Sequence, residues 1–150
     1  YVQTGDRIQT GTVQMEVLHP IASYVAADKN AASLVMKLEY GDFHALFTGD
    51  GGLDGEQRVK EQLRKDWKCH LYKAAHHGSK YSNSQQLLEQ LKPQVAVISC
   101  GENNSYGHPH TEVLERLEMT GSKVFRTDQV GAVIIKISKA GVRIRSYAEE

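Results

Sequence analysis

The sequence predicts an α/β fold in which helices pack on a mixed β-sheet. Before residue 50, short segments of alternating apolar residues are separated by turn residues, which is typical of antiparallel strands. After residue 50, strand patterns alternate with helical patterns, which favours helices layered on a sheet. The apolar run at residues 95–99 is typical of a strand buried on both faces.

The length and composition are those of one globular domain. The chain has 150 residues, 40% of them hydrophobic and 24% charged, which excludes a disordered or collagen-like protein. No apolar run approaches the roughly 18–20 residues of a membrane helix. Eighteen basic and eighteen acidic residues give zero net charge, which argues against a protein that holds nucleic acid by bulk charge.

The first half of the chain predicts three strands and a loop. Residues 13–18 alternate and end at His19-Pro20, which closes a strand. Residues 20–31 have no clean period and are expected to form a surface loop. Residues 33–40 and 43–48 form a predicted hairpin, because Gly41-Asp42 supplies turn chemistry between them.

The second half predicts three helices among further strands. A helix at residues 53–66 has Val59 and Leu63 on its apolar stripe. Ser84 is a favourable N-cap for a second helix, and Pro109 suits the first turn of a third, which Gly121 ends. Strands are predicted at residues 69–75, 95–99, 124–127, 132–138 and 142–147.

Polar residues with ligand chemistry follow the carboxyl ends of predicted strands. Asp50, the pair His76-His77, and the pair His108 and His110 all occupy such positions, where ligand sites collect in α/β proteins. A carboxylate near several imidazoles is typical of a metal site. Adjacent strand residues point to opposite faces, so one histidine of the first pair is expected to face the site.

Each piece also has a simpler interpretation. Asp50 is compatible with an Asp-Gly turn, the first histidine pair with surface residues, and His108 with a helix start that Pro109 fixes. The hydroxyls of Ser79 and Ser82 are candidate donors to phosphate oxygens. The two cysteines are expected to be buried free thiols.

The order of these motifs resembles one protein family. Four motifs carry the resemblance: Thr48-Gly-Asp50, Ala75-His-His-Gly-Ser-Lys-Tyr-Ser82, Tyr106-Gly-His-Pro-His110 and Arg126-Thr-Asp128. Asn104 lies between the second and the third. Together they resemble the metallo-β-lactamase-like domain of the ComEC family of bacterial competence proteins. The resemblance implies the C-terminal half of an αββα sandwich. The implied parent is a DNA-uptake protein of the bacterial cell membrane, of which this segment would be a soluble part.

The resemblance also implies a chemistry and residue roles. Asp50 matches the bridging carboxylate of a two-metal site for Zn or Mn, and His76 or His77 matches its last histidine ligand, with a slight preference for His76. His108 and His110 would lie near the substrate phosphate as proton donors or oxyanion stabilisers, and Asn104 would bind substrate with the two serines. The implied reaction is hydrolysis of a phosphodiester in DNA.

One part of the family's site is missing from residues 1–150. The family places a His-x-His-x-Asp-His loop in an N-terminal half, and the only histidines before Asp50 are His19 and His44, which lack ligand spacing. The chain is therefore expected to be a partial domain that binds no metal tightly and is inactive by itself. Its expected partners are single-stranded DNA, the membrane-embedded remainder of the parent, and a second copy through an exposed sheet face.

A non-catalytic module that guides single-stranded DNA is the alternative. Tyr72, Tyr81 and Tyr106 are candidate base-stacking residues for it. Its basic groups would be Arg58, Lys60, Arg64, Lys65 and Lys68, although a solvated helix face with i,i+4 pairs is the preferred interpretation of these. The presence or degeneracy of the His-x-His-x-Asp-His loop upstream would decide between enzyme and module.

Overall fold

A computed structural model describes residues 1–22, 29–138 and 140–147 of the chain. The helices are α1 Leu53–Gln62, α2 Gln85–Leu91, α3 Thr111–Met119 and α4 Thr127–Val130, with 3₁₀ turns at Asn30–Ala32 and Ala75–Gly78. The strands are β1 Arg7–Thr10, β2 Val13–His19, β3 Val35–Tyr40, β4 Phe43–Phe47, β5 Leu71–Lys73, β6 Val95–Ile98, β7 Lys123–Arg126, β8 Val133–Ser138 and β9 Gly141–Ser146.

Seven strands form one mixed sheet in the order in which they occur along the chain, from β1 to β7. Strands β1 to β4 are antiparallel neighbours, whereas β4 to β7 are parallel. The carboxyl ends of β4, β5, β6 and β7 therefore meet at a single edge of the sheet. The predicted α/β class, with helices on a mixed sheet, is confirmed.

Helices α1, α2 and α3 cover one face of this sheet. Their apolar residues pack on Leu46, Tyr72, Ala96 and Ile98 of the central strands. The helix residues in this core are Val59 and, from α2 and α3, Leu87, Leu88, Leu91, Val113 and Leu117. Full burial of a leucine or valine contributes roughly 1.5–3 kcal/mol, so this face supplies much of the stability of the domain.

A separate two-stranded hairpin, β8–β9, lies over the opposite face of the sheet. Its Ile135 and Ile137 pack against Phe43, Ala45 and Leu71. The hairpin covers only part of this face, because apolar residues of β2 and β3 remain half-buried, among them Met15, Met36 and Leu38. Self-association through this face, which the sequence suggests, stays a prediction.

The structure differs from the predicted elements chiefly at β1, at the end of α1 and in the loop at 20–31; β5 is also shorter than the predicted strand at 69–75, and α4 was not predicted. Strand β1 was not predicted, because all four of its residues are exposed and only pairing with β2 makes them a strand. Helix α1 ends at Gln62 rather than near residue 66, since Leu63 turns into extended backbone and its side chain is buried. Of the predicted loop at 20–31, residues 23–28 lie outside the described ranges, and Asn30–Ala32 forms a 3₁₀ turn.

A buried carboxylate joins α1 to the start of α2. Glu56 is only 5% exposed, and its carboxylate accepts hydrogen bonds from the backbone N–H groups of Asn83 and Ser84, the latter at 2.8 Å. The hydroxyl of Ser84 in turn accepts from Leu87 N at 3.2 Å, which confirms the predicted N-cap. Burial raises the pKa of Glu56 above its ordinary value, because desolvation outweighs these hydrogen bonds.

Glu56 therefore predicts a pH dependence of stability. Between pH 4.5 and the raised pKa, the folded state binds more protons at Glu56 than the unfolded state does. The contribution of this group to the free energy of unfolding is full below that window and falls as pH rises through it. We expect Glu56→Gln, which cannot ionise, to lack this fall in urea titrations at a series of pH values.

The matched control is Glu115→Gln, at an exposed position of α3. The difference in unfolding free energy between wild type and Glu56→Gln should change with pH, whereas that between wild type and Glu115→Gln should stay constant. A constant Glu56 difference between about pH 4 and 7 would contradict the raised pKa.

Candidate functional site

Three loops meet where the parallel strands end, and they bring most of the predicted site residues together. They are residues 48–52 after β4, 74–84 after β5 and 99–110 after β6. Asp50, His76, His77, His108 and His110 lie on these loops, and their side chains form a chain of neighbouring contacts. We call these five residues the histidine cluster.

The loop that carries Asp50 is fixed by hydrogen bonds on both sides. The hydroxyl of Thr48 donates to Lys73 O at 2.6 Å, which ties the end of β4 to β5. Asp50 N donates to the hydroxyl of Ser33 at 3.1 Å. Gly49 has φ of +52°, and a Cβ there would lie 3.0 Å from Leu34 O, so this turn requires glycine.

His76 and His77 lie in a tight turn after β5 rather than at the end of an extended strand. Both have left-handed backbone, with φ of 46° and 55°, and their ring planes are 70° apart. The sequence predicts that strand alternation points the two histidines to opposite faces. That reason is wrong, because β5 ends at Lys73, before the pair. The two rings nevertheless diverge, and they make different contacts.

His77 is the histidine that faces Asp50. Its Nε2 lies 3.8 Å from Asp50 Oδ1, and its Nδ1 lies 2.7 Å from the carbonyl oxygen of Ser99. Because a carbonyl oxygen can only accept, this contact assigns the Nδ1 proton and leaves Nε2 beside the carboxylate. In a metal-binding histidine, the ring nitrogen that does not bind the metal usually donates to a group such as a backbone carbonyl, which fixes the orientation of the ring. His76 instead contacts His108, with ring centroids 5.6 Å apart.

Asn104 shapes the loop that carries His108. Its side-chain carbonyl accepts from His108 N at 2.9 Å, and its amide donates to the carbonyl oxygens of His108 and Gly101 at 2.6 and 2.9 Å. The amide is thus engaged with backbone of its own loop. Its predicted role in substrate binding stays a prediction, and its observed contacts position His108.

The ring of His108 lies at the centre of the cluster. It stacks with Tyr106 at 5.8 Å and with His77 at 6.4 Å, each at an interplanar angle of 22°, and it lies 5.0 Å from the ring of His110. Burial lowers the pKa of His108 below its ordinary value, and the neighbouring imidazoles lower it further.

His110 and Gly78 join the second and third loops. His110 N donates to Gly78 O at 3.0 Å, and His110 Nδ1 accepts from Lys80 N at 3.4 Å. Gly78 has φ of +82°, and a Cβ there would lie 2.6 Å from Pro109 Cβ. This close approach explains why glycine follows the histidine pair.

Three predicted binding residues lie inside the protein. Ser82 is fully buried and its hydroxyl donates to Gly51 O at 2.8 Å, while Ser79 is 2% exposed and its hydroxyl accepts from Tyr81 N. Both serines support the loops, and phosphate binding by them stays a prediction that requires the loops to open. Tyr72 as a base-stacking residue is wrong, because its ring is 0% exposed.

Asn83 is the site support that the sequence did not reveal. Its side-chain carbonyl accepts from Tyr72 Oη at 2.8 Å and from Ala75 N at 2.9 Å. Its amide donates to the carbonyl oxygens of Ala75 and Ser79 at 3.0 and 3.2 Å. These four bonds pin the loop of the histidine pair to β5. An asparagine beside a predicted N-cap gave no signal of such a role.

The donor types of the cluster fit a metal ion, but the number of ligands is small. A carboxylate oxygen and an imidazole nitrogen face each other at Asp50 and His77. Within residues 1–22, 29–138 and 140–147, no group of three or more His, Cys, Asp or Glu side chains is arranged to hold a metal ion. The described residues therefore bring together one pair of such donors, fewer than the three or four ligands that a protein metal site normally uses.

Comparison with solved structures identifies the fold. A candidate metal-dependent hydrolase from Parabacteroides distasonis superposes with a TM-score of 0.54 at 11% sequence identity. The match covers 85% of this chain and 56% of that one. The chain therefore shares its α/β fold with part of that structure. No protein-family model matches the sequence.

Sequence relatives identify the family. ComE operon protein 3 of Bacillus subtilis is 41% identical over 132 residues, which cover 88% of this chain and 17% of that protein. Competence protein ComA of Neisseria gonorrhoeae is 33% identical, covering 94% of this chain and 21% of that protein. Recombination protein 2 of Haemophilus influenzae is 34% identical, covering 89% of this chain and 16% of that protein. The chain belongs to the ComEC family, as the homologue of one segment of its members.

The chain spans about a fifth of the length of these relatives. Across the described segments, no helix is long and apolar enough to cross a membrane.

The Asn83 contacts predict a large loss of stability when its side chain is removed. Asn83 has φ of 59°, a left-handed backbone conformation that glycine adopts without strain. Asn83→Gly therefore keeps this conformation and removes the amide side chain. Four buried groups would lose their partner, and we expect the free energy of unfolding to fall by about 2–4 kcal/mol in urea denaturation.

Asn103→Gly provides the control, because Asn103 has φ of 53° and is exposed. We expect it to change stability by about 0.5 kcal/mol or less. Equal losses in the two variants would show that backbone freedom, rather than the Asn83 amide, causes the effect.

Proposed function

We propose that the chain supplies one half of a metal-dependent phosphodiesterase site that acts on DNA, within a DNA-uptake membrane protein of the ComEC type. The observation that supports this most is the Asp50–His77 pair, in which the histidine presents Nε2 to the carboxylate while Ser99 O holds Nδ1. The family relationship and the hydrolase-like fold agree with this reaction class.

The proposed metal ligands in this chain are Asp50 and His77. His76, which the sequence slightly favours, contacts His108 instead and is the less suitable of the pair. Two ligands do not complete a site, so the remaining ligands would come from another segment of the parent. In the proposal that segment is the N-terminal half with the His-x-His-x-Asp-His loop, and residues 1–150 are a partial domain.

Two divalent ions, Zn or Mn, would supply activation of water and neutralisation of developing phosphate charge. The residues of this chain would do the rest. Asp50 and His77 would fix the site at the sheet edge. The Ser33 hydroxyl accepts from the backbone N–H of Asp50, and the Ser99 carbonyl orients the ring of His77. His108, held by Asn104, would donate a hydrogen bond or proton to a phosphate oxygen, and His110 would assist it.

A non-catalytic module that guides single-stranded DNA is the second candidate. The observation that favours it is the presence of only two suitably placed ligands among the described residues. The two candidates differ in one measurable respect, which is metal-dependent cleavage by the intact parent domain.

For the chain by itself, we predict weak binding of Zn²⁺ or Mn²⁺ and no nuclease activity. Two ligands give little affinity without the others. Titration calorimetry should detect no tight stoichiometric site, and Asp50→Asn should weaken the residual binding. Asp42→Asn, an exposed aspartate in the turn at the opposite sheet edge, should not change it. Tight stoichiometric binding would contradict the partial-domain proposal.

For the intact parent domain, we predict metal-dependent cleavage of a DNA oligonucleotide. Asp50→Asn should remove bound metal and activity together, since Asp50 is a proposed ligand. His108→Ala should keep the metal, measured by elemental analysis, while lowering the rate by about 10²–10⁴. Asp42→Asn again serves as the control. Loss of metal in the His108 variant would refute its assigned role, and a metal-free, inactive parent would favour the guiding module.

A further inference from the structure

We propose that Tyr106 and Tyr81 form a base-stacking rim around the histidine cluster, which selects single-stranded DNA as the ligand of this site. This inference rests on the proposed function for the nature of the ligand, and it deepens it by assigning residues that hold the bases. Both tyrosines are strongly exposed, Tyr106 at 77% and Tyr81 at 69%. They follow β6 and β5, the two strands whose loops carry the histidines.

Tyr106 forms the outer end of a stack of rings. His77, His108 and Tyr106 follow one another with centroid separations of 6.4 and 5.8 Å, and the ring planes of each pair are 22° apart. The other end of this stack is the imidazole beside Asp50. A planar base placed on the open side of Tyr106 would extend the stack, with its sugar–phosphate beside the cluster.

Tyr81 offers a second platform next to a cation. The ammonium group of Lys80 lies 5.7 Å from the centre of the Tyr81 ring, and Lys80 N donates to His110 Nδ1. The ring is therefore connected to the cluster through one residue. A stacked base here would place the adjoining phosphate near a positive charge.

Because of the charge balance, base stacking is expected to contribute more to DNA binding than attraction to phosphates does. The chain has zero formal net charge, so bulk attraction to phosphates contributes little. Bases present their faces only when they are unpaired, and therefore the rim should prefer single strands to a duplex. Tyr72, the third tyrosine considered from sequence, is buried and takes no part.

The test uses the 150-residue chain and a fluorescein-labelled thymidine decanucleotide, with binding followed by fluorescence anisotropy in EDTA at low salt. We expect Tyr106→Ala and Tyr81→Ala each to raise Kd about tenfold. Tyr106→Phe and Tyr81→Phe, which keep the ring, should bind as the wild type does. A thermal melt of each variant verifies the fold.

Two controls separate stacking from charge and from general surface effects. An abasic decanucleotide of equal charge should bind wild type about as weakly as the thymidine strand binds the alanine variants, and a duplex should also bind weakly. Tyr1→Ala removes an exposed tyrosine beyond the outermost strand β1, four strands away from β5, and should leave Kd unchanged.

The rim proposal is overturned if the alanine variants bind the thymidine strand as tightly as wild type. It is also overturned if the abasic strand binds equally well, or if no oligonucleotide binds. Because EDTA excludes metal, these results do not depend on catalysis. Tyrosine-dependent binding together with an intact parent that cleaves no DNA would refute the phosphodiesterase proposal and leave the rim standing.

Discussion

The candidate site depends on the side chain of one buried asparagine. The amide of Asn83 makes four hydrogen bonds that hold the loop after β5 against the strand, with Tyr72 beneath it. That loop has left-handed backbone at both histidines, a conformation that costs energy for residues with a Cβ. The surrounding hydrogen bonds have to maintain it. Asn83 bonds to Ala75 and Ser79 on either side of the histidine pair, while His76 N donates to Gly49 O and His77 Nδ1 contacts Ser99 O.

The sheet explains why these side chains meet. Parallel strands deliver their loops to one edge, and here β4, β5 and β6 deliver one carboxylate and four imidazoles. Among the described residues, Asp50 and His77 face each other, while the rings of His76 and His110 lie edge-on or tilted against His108. A half-covered apolar sheet face on the side of the β8–β9 hairpin is consistent with a further segment packing there in the proposed parent domain.

Much of the fold could be predicted from the sequence, and the misses share a cause. Periodicity and capping identified most strands and all three long helices, because these signals are local. Strand β1 was missed because its exposed residues have no apolar pattern and depend on β2 for pairing. The buried positions of Ser79, Ser82 and Tyr72 could not be anticipated, since burial of a polar group depends on partners distant in sequence.

The sequence by itself determined the α/β class, the family resemblance, and the placing of Asp50 and the histidines after strands. It also showed that a His-x-His-x-Asp-His loop is absent from these residues. Only the tertiary structure decided that His77, rather than His76, lies beside Asp50. The reason is physical: the choice depends on a turn with positive φ and on the Ser99 carbonyl, which a different strand brings to His77 Nδ1.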